Sequence, residues 1–150
     1  MPQSLVKNLI HIVFSTKNRA PVIQPYIEEN LHKYLAGICQ KLECPPVQIG
    51  GYTDHIHVLC NLSKKIALVK LIEDIKSHSS KWMKEQDHRL KAFYWQRGYG
   101  AFSVNPTEAG IVKRYIEEQH EHHKILLFQD EYRAFLKKYN VQYDEQYVWD

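Results

Sequence analysis

The period of apolar and polar positions changes several times along the chain, and each change marks a predicted element. "NLIHIVFSTK" (8–17) is an apolar, β-branched run that reads as a first strand, ended by the two prolines of "RAPVIQP". From Tyr26 to Leu42 the residues Ile27, Leu31, Leu35, Ile38 and Leu42 recur at helical spacing, which predicts an amphipathic helix stopped by "CPP" at 44–46. "VQIGGYTDHIHVLCNL" then reads as two strands that meet in a short hairpin near Tyr52-Thr53-Asp54. Residues 66–85 return to a helical period. Leu68, Leu71, Ile72, Ile75 and Trp82 lie on one side of that helix, and Lys70, Ser77, Lys81 and Lys84 on the other. "AFYWQRGYGAFSV" (92–104) reads as a last strand bent at Gly98 or Gly100. A third helix over about 107–124, capped by Thr107, and a fourth over about 129–139 follow. The tail "VQYDEQYVWD" is too aromatic for an ordinary disordered end.

Strand, helix, strand, strand, helix, strand is the βαββαβ order of a ferredoxin-like fold. The expectation is therefore an α+β chain with a four-stranded antiparallel sheet and two helices packed on one face. The other face is expected to be open, and C-terminal helices follow the sheet. Length supports one domain over 1–150, with a core of about 8–104 and a helical portion and tail of about 105–150.

Strand alternation puts His55 and His57 on one face and Ile56 on the other. Two imidazoles on one face can share a metal ion, although two polar positions on a half-solvated strand would give the same pattern. In "TEAGIVKRYIEEQHEHHK" the residues Tyr115, Gln119 and His122 stand at i, i+4 and i+7 and share a helix face. The Gln119 amide oxygen can join a metal there, which leaves the Tyr115 hydroxyl beside whatever the metal binds. His122 is open to three readings: a further ligand, a proton acceptor for Tyr115, or a cation near a helix C-terminus.

Composition narrows the class. Hydrophobic and charged contents of 44% and 25% are those of an ordinary globular chain. No apolar run approaches the ~18 residues of a membrane span, and "MPQSLVKNLIHIVF" lacks the layout of a signal peptide. Cys39, Cys44 and Cys60 are odd in number and form no C-x-x-C pair, which points to reduced thiols in the cytoplasm. Net charge is +3, but Lys64 to Arg97 holds nine Lys or Arg against four acids, a local +5 that leaves the remainder at −2. Such a segment suits a polyanion docked on one side. Lys70, Lys81 and Lys84 are its candidate phosphate contacts, with Lys17 and Arg19 at the end of the first strand and Arg97 added. The aromatics of "FYWQRGYGAF" can pack in the core or stack on bases, and Trp95 and Phe102 are assigned to the core.

His55-Ile56-His57, "FYWQRGYGAFSV" and "IVKRYIEEQHEHHK" together resemble the HUH single-tyrosine transposases of small insertion sequences, including relatives associated with repetitive extragenic palindromes. The resemblance runs along most of the chain. It implies that His55, His57 and Gln119 bind Mg2+ or Mn2+ and that Tyr115 is the nucleophile. Tyr115 would become joined to a 5′ phosphate, releasing a 3′ hydroxyl that later attacks the phosphotyrosine. It further implies single-stranded DNA with hairpin ends as partner, and a homodimer in which one tyrosine helix can complete the other subunit's histidine site. Imidazole ligands favour manganese over magnesium. Two other classes remain open at this level. A non-catalytic single-strand nucleic-acid binder of ferredoxin-like fold would carry an RNA-recognition signature that "RGYGAFSV" only partly echoes. A zinc hydrolase using His55, His57 and His122 would need a general-base carboxylate that the spacing does not provide.

Overall fold

The computed structural model describes residues 2–150. In chain order the elements are β1 (Leu9–Ser15), α1 (Pro25–Lys41), β2 (Pro46–Tyr52), β3 (His55–Asn61), α2 (Leu68–Gln86), β4 (Gly100–Val104), α3 (Ala109–Glu117), α4 (Gln119–His122) and α5 (Phe128–Lys138). The strands form one antiparallel sheet in the order β2-β3-β1-β4, the α+β arrangement that the pattern predicts. Pro25 opens α1 in its first turn, where a missing N–H leaves no helical bond unmade. Tyr52 pairs with His55, so a two-residue hairpin joins β2 to β3. On one face Ile12, Phe14, Ile56, Val58 and Cys60 meet Leu31 and Leu35 of α1 and Leu71 and Ile75 of α2.

The other face is not open. The C-terminal helices carry apolar stripes, and the remaining strand positions offer them apolar ground. Ile116 of α3 packs on Leu9, Leu59 and Val104. Phe128, Tyr132 and Leu136 of α5 pack on Val13 and Phe102. The close seating of α3 depends on Gly50 in β2, where a Cβ would come within 2.5 Å of the Ile116 carbonyl oxygen. His55 and His57, expected on an open face, have 0% exposure.

Two further expectations shift. The segment 92–104 is a strand only from Gly100. Trp95 bridges to Thr16 while Gly100 pairs with Val13, so the stretch between them holds two residues more than β1 does opposite, and it bulges. The Lys76 ammonium takes over the freed carbonyls, donating to those of Gln96, Arg97 and Gly98 at 2.8, 3.1 and 2.6 Å. The Ser15 N–H donates to the Gln96 side chain at 2.8 Å. The aromatic tail docks at this bulge, with the Gly98 N–H donating to the Asp150 carbonyl at 2.8 Å. Trp95 and Phe102 are buried as expected.

The third helix is broken. Glu118, at φ −95° and ψ 17°, separates α3 from α4. Thr107 is not its cap. It lies in a tight turn at 106–108, where its N–H and its hydroxyl donate to the Asn105 side chain at 3.0 and 2.9 Å. All three cysteines are free and buried. Among the described residues no helix is long and apolar enough to cross a membrane.

Candidate active site

Neighbouring strands set the site. His57 of β3 pairs with Val13, and His55 pairs with Ser15, so His11, His55 and His57 form a buried row beneath α3–α5. Both nitrogens of each β3 imidazole are engaged. His55 meets the Asp54 carboxylate with Nδ1 at 2.7 Å and Gln119 Oε1 with Nε2 at 2.7 Å. His57 meets His11 Nε2 with Nδ1 at 2.8 Å and Glu131 Oε1 with Nε2 at 3.1 Å. Burial holds the His11 imidazole well below its ordinary pKa, with the neighbouring His57 acting in the same direction.

Glu131 is the hub. It stands on the buried side of α5 with Phe128, Tyr132 and Leu136. Its Oε1 lies 3.4 Å from His55 Nε2 and 3.2 Å from His123 Nε2. Its Oε2 accepts from the Gln119 amide at 2.9 Å and from the Tyr115 hydroxyl. Burial alone would raise this carboxyl's pKa. The imidazoles of His57, His123 and His55 outweigh it and hold the group ionised, below the usual carboxylate range. Burial, then the Glu131 charge, pushes the Tyr115 phenol above its ordinary value. One donor atom from each of His55, His57 and Glu131 lies within 4.8 Å of the other two. Two imidazoles and a carboxylate, each oriented by a second partner, are a donor set suited to a divalent transition metal.

Four residues singled out in the sequence, Tyr115, Gln119, His55 and His57, thus converge within one chain. His122 does not join them. Its ring stacks on Tyr115 with centroids 4.7 Å apart, and its Nε2 makes no hydrogen bond and lies 4.0 Å from the Glu118 carboxylate. The break at Glu118 restarts the helical phase at Gln119, so His123, one turn on, reaches the cluster instead and meets Gln119 Oε1 at 3.0 Å. The sequence reading missed Glu131, His123, His11 and Asp54. Glu131 had a signal, since it is a carboxylate on the apolar stripe of α5. So did His11, which shares the face of β1 that carries Leu9 and Val13.

Of the basic candidates, Lys17 and Arg97 line a surface cleft of about 450 Å3 with Tyr94, Gln96 and Trp149. The ammonium groups of Lys84 and Lys17 lie 4.1 and 5.8 Å from the centroid of the exposed Tyr94 ring. Arg19 faces the Trp149 ring at 5.6 Å. Lys81 is exposed on α2. Lys70 stands apart from this group: it pairs with Asp74 at 3.1 Å and lies about 21 Å from Lys84 along the helix.

The family model for IS200-like transposases matches residues 4–119, a span that includes His55, His57 and Tyr115 and stops short of Glu131. Similar solved structures include a candidate transposase of Deinococcus radiodurans R1, 18% identical over 79% of this chain and 96% of that one, with a TM-score of 0.61. Another is a REP-associated tyrosine transposase bound to a REP hairpin, 13% identical over 84% of this chain and 74% of that one, with a TM-score of 0.62. At such identities the likeness is one of fold. No curated protein matches by sequence. On the family match, which spans most of its length, the chain belongs to the IS200-like transposases.

Proposed function

We propose that this transposase nicks and rejoins single-stranded DNA through a 5′-phosphotyrosine on Tyr115, in a site contained within one protomer. One observation carries the reading. The Tyr115 hydroxyl donates to one oxygen of Glu131, while the other oxygen of that carboxylate meets the His57 imidazole. A nucleophile and a cation-binding cluster therefore share a single side chain.

Tyr115 Oη attacks the phosphorus of a phosphodiester, and the P–O3′ bond breaks. One strand leaves with a 3′ hydroxyl, and the other stays on Tyr115 through its 5′ phosphate. A 3′ hydroxyl reverses the step, so no external energy source is required. Before attack, Tyr115 carries its proton, as a phenol does at neutral pH, and its hydrogen bond to Glu131 holds it aimed. Glu131 Oε2 is the atom placed to receive the phenol's proton. A divalent ion held by His55, His57 and Glu131, with Gln119 Oε1 alongside, would supply positive charge that offsets the carboxylate and polarises the phosphate. Two imidazoles favour manganese over magnesium in that place.

The hairpin bound by the similar REP-associated transposase supports hairpin-ended single strands as the substrate class. Lys17, Lys84 and Arg97 supply phosphate contacts around Tyr94, whose exposed ring offers a surface for base stacking. In a homodimer of this kind each protomer keeps its own site.

The test is a labelled single strand from the DNA flanking the coding sequence, incubated with the protein and Mn2+. The expected product survives denaturant and maps by mass spectrometry to the peptide carrying Tyr115. Absence of an adduct with both Mn2+ and Mg2+, or an adduct on another residue, rules the reading out.

A further inference from the structure

A cleft of about 280 Å3 opens between α3 and α5 beside Tyr115. Its inner end is formed by buried His11 and Glu131, and Ile111 and Lys138 stand exposed at its outer end. Val112, Leu126, Phe135 and Tyr139 supply apolar and aromatic walls. The metal-ligand candidates are otherwise sealed, with His55, His57, Gln119 and Glu131 all at 2% exposure or less. A phosphodiester attacked by Tyr115 must come alongside its hydroxyl, and this cleft reaches both Tyr115 and Glu131. Its walls are unsuited to a phosphate. Its volume lies just under the ~300–1,000 Å3 of small-molecule sites, room for one ring system rather than a stacked run of bases. Phe135 and Tyr139 lie nearly parallel, at 15°, and the Lys138 ammonium stands 5.4 Å from the Tyr139 ring centre, placing a cation where the backbone of an inserted nucleotide would pass.

We propose that this cleft holds one unstacked nucleobase of the cleaved strand, next to the phosphate that Tyr115 attacks. The proposal rests on Tyr115 being the nucleophile. Its test uses Tyr115→Phe, which binds without cleaving, and hairpin-ended single strands carrying an abasic site moved one position at a time. One position weakens binding about 5- to 100-fold. Ala134→Trp, which fills the cleft from an exposed position, weakens binding of the intact strand similarly and adds nothing on the strand abasic at that position. Equal affinity at every abasic position overturns the proposal without any need for a cleft variant, and so do effects that add. An abasic effect in Tyr115→Phe when the parent protein itself never forms an adduct condemns the nucleophile reading and leaves the base site standing. An adduct without an abasic effect does the reverse.

A different observation carries a second inference. The Nδ1 atoms of His55 and His57 are held by Asp54 and His11, which leaves both Nε2 atoms directed toward Glu131. We infer that Asp54 and His11 are positioning residues that fix the ring orientation and tautomer in which His55 and His57 bind a divalent ion. With Mn2+ alone as probe and electron paramagnetic resonance as readout, His11→Phe and Asp54→Ala each weaken binding about 10- to 100-fold. His11→Gln and Asp54→Asn, which keep an acceptor, recover most of that loss. An unchanged Mn2+ affinity in the first pair, or no recovery in the second, overturns the inference.

Discussion

Toward α1 and α2, strands β1 and β3 present Ile12, Phe14, Ile56, Val58 and Cys60, all in one apolar cluster. Toward α3–α5 the intervening positions mix apolar Leu9, Val13 and Leu59 with His11, Ser15, His55 and His57, equally buried but polar. Alternate residues of the same two strands thus build two interiors with different energetics. Burial of each large aliphatic side chain on the first face stabilises the fold by about 1.5–3 kcal/mol. On the second face an ionised carboxylate and four imidazoles have been taken out of water, an arrangement that seldom stabilises a fold and often marks chemistry. The first face is wholly apolar, and the proposed chemistry sits on the second.

The comparison is broken most sharply by separating the two properties. Tyr115→Phe is expected to reduce adduct formation by roughly 10^4-fold or more while leaving urea unfolding within about 1 kcal/mol of the parent. Ile75→Ala, on the apolar face, is expected to do the opposite. It costs about 2–5 kcal/mol of stability and leaves adduct yield per folded molecule unchanged. A large activity loss from Ile75→Ala at a temperature where the protein is folded would show that the two faces are not separable. Next in size is the response to metal. Mn2+ at about 100 times its Kd raises stability by ~2.7 kcal/mol, and Glu131→Gln removes that rise in a thermal-unfolding assay. A full rise in the variant would take Glu131 out of the metal site. The smallest effect concerns the surface. Lys17→Ala or Arg97→Ala lowers the slope of log affinity against log salt for a hairpin strand by about one unit. Lys70→Ala, with its partner Asp74 and its distance from Tyr94, changes the slope less. Equal slopes for Lys17→Ala and Lys70→Ala would contradict the grouping of basic residues around Tyr94.

The sheet was legible because its strands are short apolar, β-branched runs and because proline and glycine punctuate them. That His55 shares a face with His57, and Tyr115 with Gln119, was legible through local spacing, since strand and helix periods each dictate which side chains lie together, but grouping the two pairs into one site rested on the family resemblance. What covers the second face was not, because packing of α3 and α5 is a long-range fact that no window of residues contains. The same limit hid Glu131, which lies 74 residues from His57. It also hid the exchange of His122 for His123, because a helix break at Glu118 resets the phase that i+7 arithmetic assumes. The last strand was misjudged for a different reason: the Lys76 side chain, not the ladder, satisfies the carbonyls at 96–98.

The central claim is that one protomer alone brings the Tyr115 hydroxyl to the paired imidazoles. It is tested most directly by mixing Tyr115→Phe with His57→Ala, both inactive alone, and assaying adduct formation on a hairpin strand with Mn2+. A site assembled within each chain leaves the mixture without an adduct at every ratio and concentration. A site shared between chains restores it, with the DNA joined to the His57→Ala protomer, and that outcome would contradict the account.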